Sequence, residues 1–226
     1  MTYLYLDIET IPAQTEAAKE RVASTVKPPA QMKKAETIAT WEKEQKPAAV
    51  EEAIAKTSFD GGMGHVCCIG FAINDGQIYS ESVKTLLEER QAIEAFIDAV
   101  EISRQNGWET IQIVGHFVAG FDLRFLTQRA IVLGVRLPDW WPRDPKPWSN
   151  EVFDTMVAWA GAKGTVSLDA LCFSLGLEGK GDVDGSMVAQ MWVDGKHDEI
   201  GSYCRDDVAR VRRVHQKMLA ALGEAA

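Results

Sequence analysis

The run from Tyr3 to Glu9 constrains the chain more than any other stretch. Drawn out as a strand, it puts Leu4, Leu6 and Ile8 on one face and Tyr3, Tyr5, Asp7 and Glu9 on the other. It therefore reads as a strand ending in two acids on the same side. Pro12 stops it. Residues 13–57 are rich in Ala, Lys, Glu and Gln, with breaks at Pro28-Pro29 and Pro47, and predict a partly mobile insertion of one or two amphipathic helices after the first strand. Val66 to Ile73 and Ile78 to Val83 flank Asn74-Asp75-Gly76, which has the turn chemistry of a hairpin. Leu86 to Val100 has apolar residues at helical spacing, Ile111 to Val114 returns to strand, and Phe121 to Leu133 to helix. Val152 to Asp154 reads as a short strand, Leu168 to Leu175 and Ser186 to Trp192 as short helices. The stretch 196–222 reads as a long helix with a stripe of Val208, Val211, Val214 and Met218. Strands mixed with helices in this way predict an α/β layered fold.

The chain's 226 residues, 46% of them hydrophobic, suffice for one core, and the expectation is a single domain over 1–226 with the insertion at 13–57. Apolar runs such as Ile69 to Ile73 fall far short of the ~20 residues of a membrane-spanning helix, so no membrane partner is expected. The first residues carry neither a basic leader nor a small-residue cleavage site, which points to the cytoplasm. Cys67, Cys68, Cys172 and Cys204 lack zinc-site spacing and read as core thiols. A net charge of -9 argues against a broad basic surface that coats nucleic acid. It leaves room for an acidic cleft in which bound divalent ions reverse the local potential.

Three segments carry candidate chemistry. Asp7 and Glu9 are two apart on a strand, so both carboxylates share a face; a solvated strand face is the alternative reading. Asp122 follows a strand and a glycine-containing turn at a helix start, where an ordinary cap is the alternative. Tyr203 and Asp207 are four apart on the last helix and share a face, whereas Asp206 is rotated away by ~100°. Phosphodiester hydrolysis at neutral pH needs a hydroxide nucleophile and neutralisation of the leaving oxygen, which two divalent ions ~3.5–4 Å apart can supply. Such ions prefer carboxylate oxygen converging from several segments.

Asp7-Ile8-Glu9-Thr10 after a hydrophobic strand, Phe121-Asp122 in mid-chain and the late Tyr203-x-x-x-Asp207 together resemble the three motifs of the DEDDy 3′-5′ exonucleases, within which the sequence is similar to stand-alone proteins related to the proofreading domain of family-B DNA polymerases. The resemblance covers residues 3 to about 215. It implies a ribonuclease H-like fold, a mixed sheet flanked by helices. It also implies that Asp7, Glu9, Asp122 and Asp207 bind two Mg²⁺ or Mn²⁺ ions, and that Tyr203 helps water attack the terminal phosphodiester of DNA, with RNA a second possible substrate. Thr10, His116, Phe117 and Phe121, beside the motifs, are expected to contact the single-stranded 3′ end. Phe117 stands where family members usually carry Asn, so it bears on substrate positioning; its ring could stack on a base or simply pack.

Around these motifs, Asp154 is expected to cap the following helix, with support of the site as the other reading. Trp140, Trp141 and Trp148, with Arg143 and Lys146, could guide single strands or wedge their loop against the core. Arg210, Arg212, Arg213 and Lys217 read as a solvated basic face. A catalytically silent nucleic-acid-binding module of the same fold and a ribonuclease H-like endonuclease are the competing functions, and the tyrosine argues against the second. Monomer is the default state; protein partners are not legible.

Overall fold

The sheet is built from β1 (Thr2–Ile11), β2 (His65–Ile73), β3 (Ile78–Ser82), β4 (Ile111–Gly115) and β5 (Val152–Asp154). The computed structural model describes residues 1–104, 110–146, 149–179, 181 and 183–223. Strand order is β3-β2-β1-β4-β5; β2 runs antiparallel to β1 and β3, while β1, β4 and β5 are parallel. The β2–β3 turn works as its residues predict, because Asn74 sits at a φ of 48°, a conformation asparagine tolerates. The Asn74 side chain also accepts from Tyr3 N at 2.8 Å, pinning the hairpin to the start of β1.

The alternation of β1 is used on both faces. Leu4, Leu6 and Ile8 pack with Ile69 and Phe71 against Ile93, Phe96 and Ile97 of α4 (Glu89–Ser103) and Leu123, Phe125 and Leu126 of α5 (Asp122–Leu133). Tyr5 faces the other way, onto Val208 and Val211 of α9 (His197–Leu222). The sheet is thus enclosed between helices, and each fully buried Leu or Ile contributes ~1.5–3 kcal/mol through lost apolar exposure. Truncating Leu6, 1% exposed, to alanine removes the heart of the first layer at ~2–5 kcal/mol.

Between β1 and β2 lie three helices rather than one or two: α1 (Glu16–Thr25), α2 (Ala35–Glu44) and α3 (Lys46–Ala55), followed by a 3₁₀ turn at Lys56–Phe59. Pro47 ends nothing here. It occupies the first turn of α3, where a missing N–H is no loss. Only Val22 and Trp41 of these three helices are buried. Thr57 Oγ1 closes the segment on itself, accepting from Ala13 N at 2.7 Å.

The proline- and tryptophan-rich loop is a wedge. Trp141 is buried and donates to Thr127 Oγ1 at 3.0 Å, and Trp140 donates to Glu101 Oε1 at 2.6 Å. Trp148 lies outside the described residues. Three short helices, α6 (Thr155–Ala160), α7 (Leu168–Ser174) and α8 (Val188–Val193), complete the frame around α9. Among the described residues no helix is long and apolar enough to cross a membrane.

Candidate active site

A close approach of α9 to the sheet assembles the site. Asp7 of β1 is paired with Gly70 of β2, and a Cβ on Gly70 would sit 2.7 Å from Cys204 Sγ and 3.0 Å from Val208 Cγ2. Only glycine lets the helix come this near. The contact lowers Tyr203, Cys204 and Asp207 onto the end of β1. The β1–β2 register slips between Glu9 and Thr10, a bulge of the kind that re-aims a side chain, and Glu9 ends 8% exposed. Asp122, the first residue of α5, is 4% exposed and accepts from Ile8 N at 3.0 Å, which ties it to the strand bearing the first two acids.

The carboxylates act on one another. Burial, then the charges of Glu9, Asp207 and Asp122, hold the Asp7 carboxyl well above the usual range. Asp122 is pushed up to about 8 by burial, against the lowering effect of backbone N–H donors, with Asp154 and Asp207 adding to the rise. The Tyr203 phenol is raised strongly by burial and then by Glu9, Asp207 and Asp7, and it hydrogen-bonds Asp207. It stays protonated at neutral pH, so it serves as a donor that orients rather than as a ready base.

Candidate ligand atoms of Asp7, Glu9 and Cys204 lie within 4.8 Å of one another. Cys204 is a poor ligand in this company. Burial and its hydrogen bond with Cys68 push the thiol up, and it approaches Asp7 Oδ2 as a donor at 3.4 Å. The remaining donors of this group, Asp7 and Glu9, offer carboxylate oxygens, a set that suits a hard divalent cation. A cavity of about 180 Å³ opens beside them, lined by Asp7, His116, Asp169, Tyr203, Asp207 and Arg210.

Arg210 is the residue that the sequence reading missed. Far from a solvated face, it is 4% exposed and its Nη2 meets Asp207 Oδ1 at 2.7 Å, while Nη1 donates to Gly179 O at 3.1 Å. The signal was its spacing, three after Asp207 and seven after Tyr203, which puts all three on one helical face. Its neighbours differ: Arg212 donates to Asn74 O and Gly76 O, and Lys217 to Leu175 O. Asp169 also faces the cavity and was not singled out by its sequence context.

His116 has both ring nitrogens committed, Nδ1 to Thr155 Oγ1 at 2.9 Å and Nε2 to Val166 O at 2.8 Å, and burial lowers its pKa. That arrangement suits a structural post, not a general base. Thr10 donates its hydroxyl to Ser58 O at 2.7 Å. Phe121 places its ring between Phe59 and Phe125, with centroids 6.1 and 5.7 Å away. Phe117 stands at a φ of 58°, left-handed backbone that costs a non-glycine residue ~1–3 kcal/mol. Asp154 holds it there. Its Oδ1 accepts from Phe117 N at 2.9 Å as well as from Met156 N and Val157 N, so one carboxylate both caps α6 and fixes the loop before Asp122.

The strand order and the flanking helices define a ribonuclease H-like α/β protein, with acids from β1, α5 and α9 brought together at one end of the sheet. Residues 62–224 match the family model described as a predicted 3′-5′ exonuclease related to the exonuclease domain of PolB, and the chain belongs to that family. Its fold is similar to that of the family B DNA polymerase from the hyperthermophilic archaeon Pyrobaculum calidifontis, with a TM-score of 0.59 and 19% identity. The likeness covers 97% of this chain and 24% of the polymerase, so the chain spans about a quarter of that protein's length. No curated protein matches it.

Proposed function

We propose that this chain is a DEDDy-type 3′-5′ exonuclease that removes nucleoside 5′-monophosphates from single-stranded DNA 3′ ends, with RNA ends open to the same chemistry because no motif reads the 2′-hydroxyl. One observation carries the proposal: acids from three distant segments meet at one end of the sheet, where Glu9, Asp207 and Asp122 raise the Asp7 carboxyl, and Asp7 and Asp207 line one cavity with Tyr203. Family membership supplies independent support for the reaction class.

Asp7, Glu9, Asp122 and Asp207 would hold two Mg²⁺ or Mn²⁺ ions, which supply charge neutralisation and activation of water when bound. Tyr203 donates toward the attacking water and fixes its line of approach. Arg210 restrains one oxygen of Asp207. Asp154 and His116 keep the 116–122 loop in register with β1, so that Asp122 meets the first two acids. The protein works as a cytoplasmic monomer in this reading.

The test uses 5′-labelled single-stranded DNA and RNA with Mg²⁺ or Mn²⁺, beside EDTA and Asp7→Asn controls. Stepwise shortening from the 3′ end, lost in both controls, is the expected result. Binding of either polymer without cleavage would leave a silent nucleic-acid-binding module instead.

A further inference from the structure

Arg210 is the sole arginine or lysine among the described residues that line the cleft cavity, whose walls also hold the aspartates Asp7, Asp169 and Asp207. Its guanidinium is buried, with Nη2 on Asp207 Oδ1 at 2.7 Å and Nη1 on Gly179 O at 3.1 Å. The remaining donor, Nε, is buried with no partner among the described residues.

A buried arginine that serves structure alone closes a two-bond fork on its carboxylate, because both bonds offset the loss of water. Arg129 does this, placing Nε and Nη2 on the two oxygens of Glu89. On Arg210 that fork stays open, and an unserved buried N–H carries a cost that a purely structural pair would avoid. What Arg210 does supply is charge, one hydrogen bond away from Asp207 and inside the wall of the cavity. Its place is fixed by α9, which the close contact of Cys204 with Gly70 holds against the sheet. Asp207 also carries the hydrogen bond of Tyr203, so a change at Arg210 reaches the carboxylate that the phenol shares.

We infer that Arg210 is a resident counter-ion: it balances Asp207 while the cleft is empty and competes with a divalent ion for that carboxylate. It thereby sets the ion concentration at which the cleft fills. The inference rests on the reading of Asp207 as a metal ligand, and Arg210 acts through Asp207, as a positioning residue. A guanidinium this near repels an incoming dication, so removing its charge should tighten ion binding about tenfold or more. Lysine keeps the charge as a compact point without the planar fork, so it preserves the competition and loses the restraint.

The probe is Mn²⁺ alone, titrated into the whole chain without nucleic acid and followed by the electron paramagnetic resonance of the free ion. Arg210→Met should bind Mn²⁺ about tenfold or more tightly than wild type, and Arg210→Lys should stay within about threefold of it. Melting gives a second readout. In EDTA, Arg210→Met should melt below wild type, because Asp207 has lost its counter-charge, and Mn²⁺ should raise its melting temperature by more than it raises that of wild type. A merely structural role would lower both melting curves alike and leave the Mn²⁺ increment unchanged. Arg210→Gln, which keeps a donor for Gly179 O, makes the same test should the methionine variant fail to fold. Mn²⁺ affinity that is unaltered or weakened in the neutral variants, with wild type binding the ion, overturns the counter-ion role and leaves the exonuclease reading standing. Absence of Mn²⁺ binding from wild type and neutral variants together overturns both the counter-ion role and the reading of the acids as metal ligands.

Discussion

The protein buries carboxylates in two places and treats them in opposite ways. Glu89, at the start of α4, is fully buried and fully served: Arg129 Nε and Nη2 donate to its two oxygens at 2.7 Å each, Val66 N at 2.8 Å, and His65 Nδ1 lies at 2.9 Å. Burial pushes its carboxyl up, yet the hydrogen bonds from His65 and Arg129 and the charge of Arg129 hold it below the usual range. In the cleft burial pushes the same way, and neighbouring acids add to it. One protein cation, Arg210, faces Asp207. The Glu89 cluster closes its electrostatics internally and joins α4, α5, β2 and, through Gly61 O, the end of the inserted segment. Under the proposed function the cleft leaves its acids to be balanced by an outside cation, so the two kinds of burial would differ in who supplies the positive charge.

The largest effect that bears on this contrast is Asp7→Asn. It should reduce exonuclease turnover by on the order of 10³-fold or more. It should also raise the melting temperature in EDTA, because a neutral amide replaces a buried carboxyl whose ionisation its acidic neighbours oppose. A lowered melting temperature would mean that Asp7 is a structural acid like Glu89. Glu89→Gln should do the reverse, leaving Arg129 buried without its counter-charge at ~3–5 kcal/mol. At ~2–4 °C per kcal/mol for a chain of this size, melting should fall by roughly 10 °C. Turnover measured below that temperature should hold. A variant as stable as wild type in urea titration would erase the distinction.

Sequence alone went further in the cleft than in the Glu89 cluster. Asp7 with Glu9 and Tyr203 with Asp207 are set by strand and helix periods, so their shared faces follow from spacing, as does the β2–β3 hairpin from Asn74-Asp75-Gly76. The Glu89, His65 and Arg129 cluster joins residues 24 to 64 apart through burial, which no local period encodes. Arg210 failed for a subtler reason. Its helical face was readable, but the run of four basic residues suggested solvent, and only the packing of α9 on the sheet shows which one turns inward. The second duty of Asp154, holding Phe117 N, likewise depends on β4 and β5 lying side by side. The third inserted helix was hidden because Pro47 can either break a helix or begin one.

Divalent ions sharpen the comparison at smaller scale. At ~100 times its dissociation constant, a bound ion stabilises the fold by ~2.7 kcal/mol. Mn²⁺ should therefore raise melting by several degrees in wild type and in Glu89→Gln, and by much less in Asp7→Asn. Equal shifts in all three proteins would place the ions elsewhere.

The smallest effect lies in the pH dependence of the metal-free protein, where the two regions differ in sign. Glu89 has a depressed pKa, so its contribution is present above the ordinary carboxylate range and is lost as pH falls through it. Asp122, raised to about 8, keeps a proton in the folded state that the unfolded chain has already released, so stability falls as pH rises toward 8. His215 opposes this at lower pH: buried and pushed down to about 4, it gains a proton on unfolding, so its contribution grows as pH rises to about 6.5 and then ends. The window from about 6.5 to 8 isolates the cleft. A slope of at most ~1.4 kcal/mol per pH unit for one proton amounts to ~2 kcal/mol or less across it. Urea titrations in EDTA should show stability declining over that window, and saturating Mg²⁺ should flatten the decline because ions take the place of the retained protons. A metal-free profile that is flat or rising there would mean that the cleft acids are as well satisfied as Glu89.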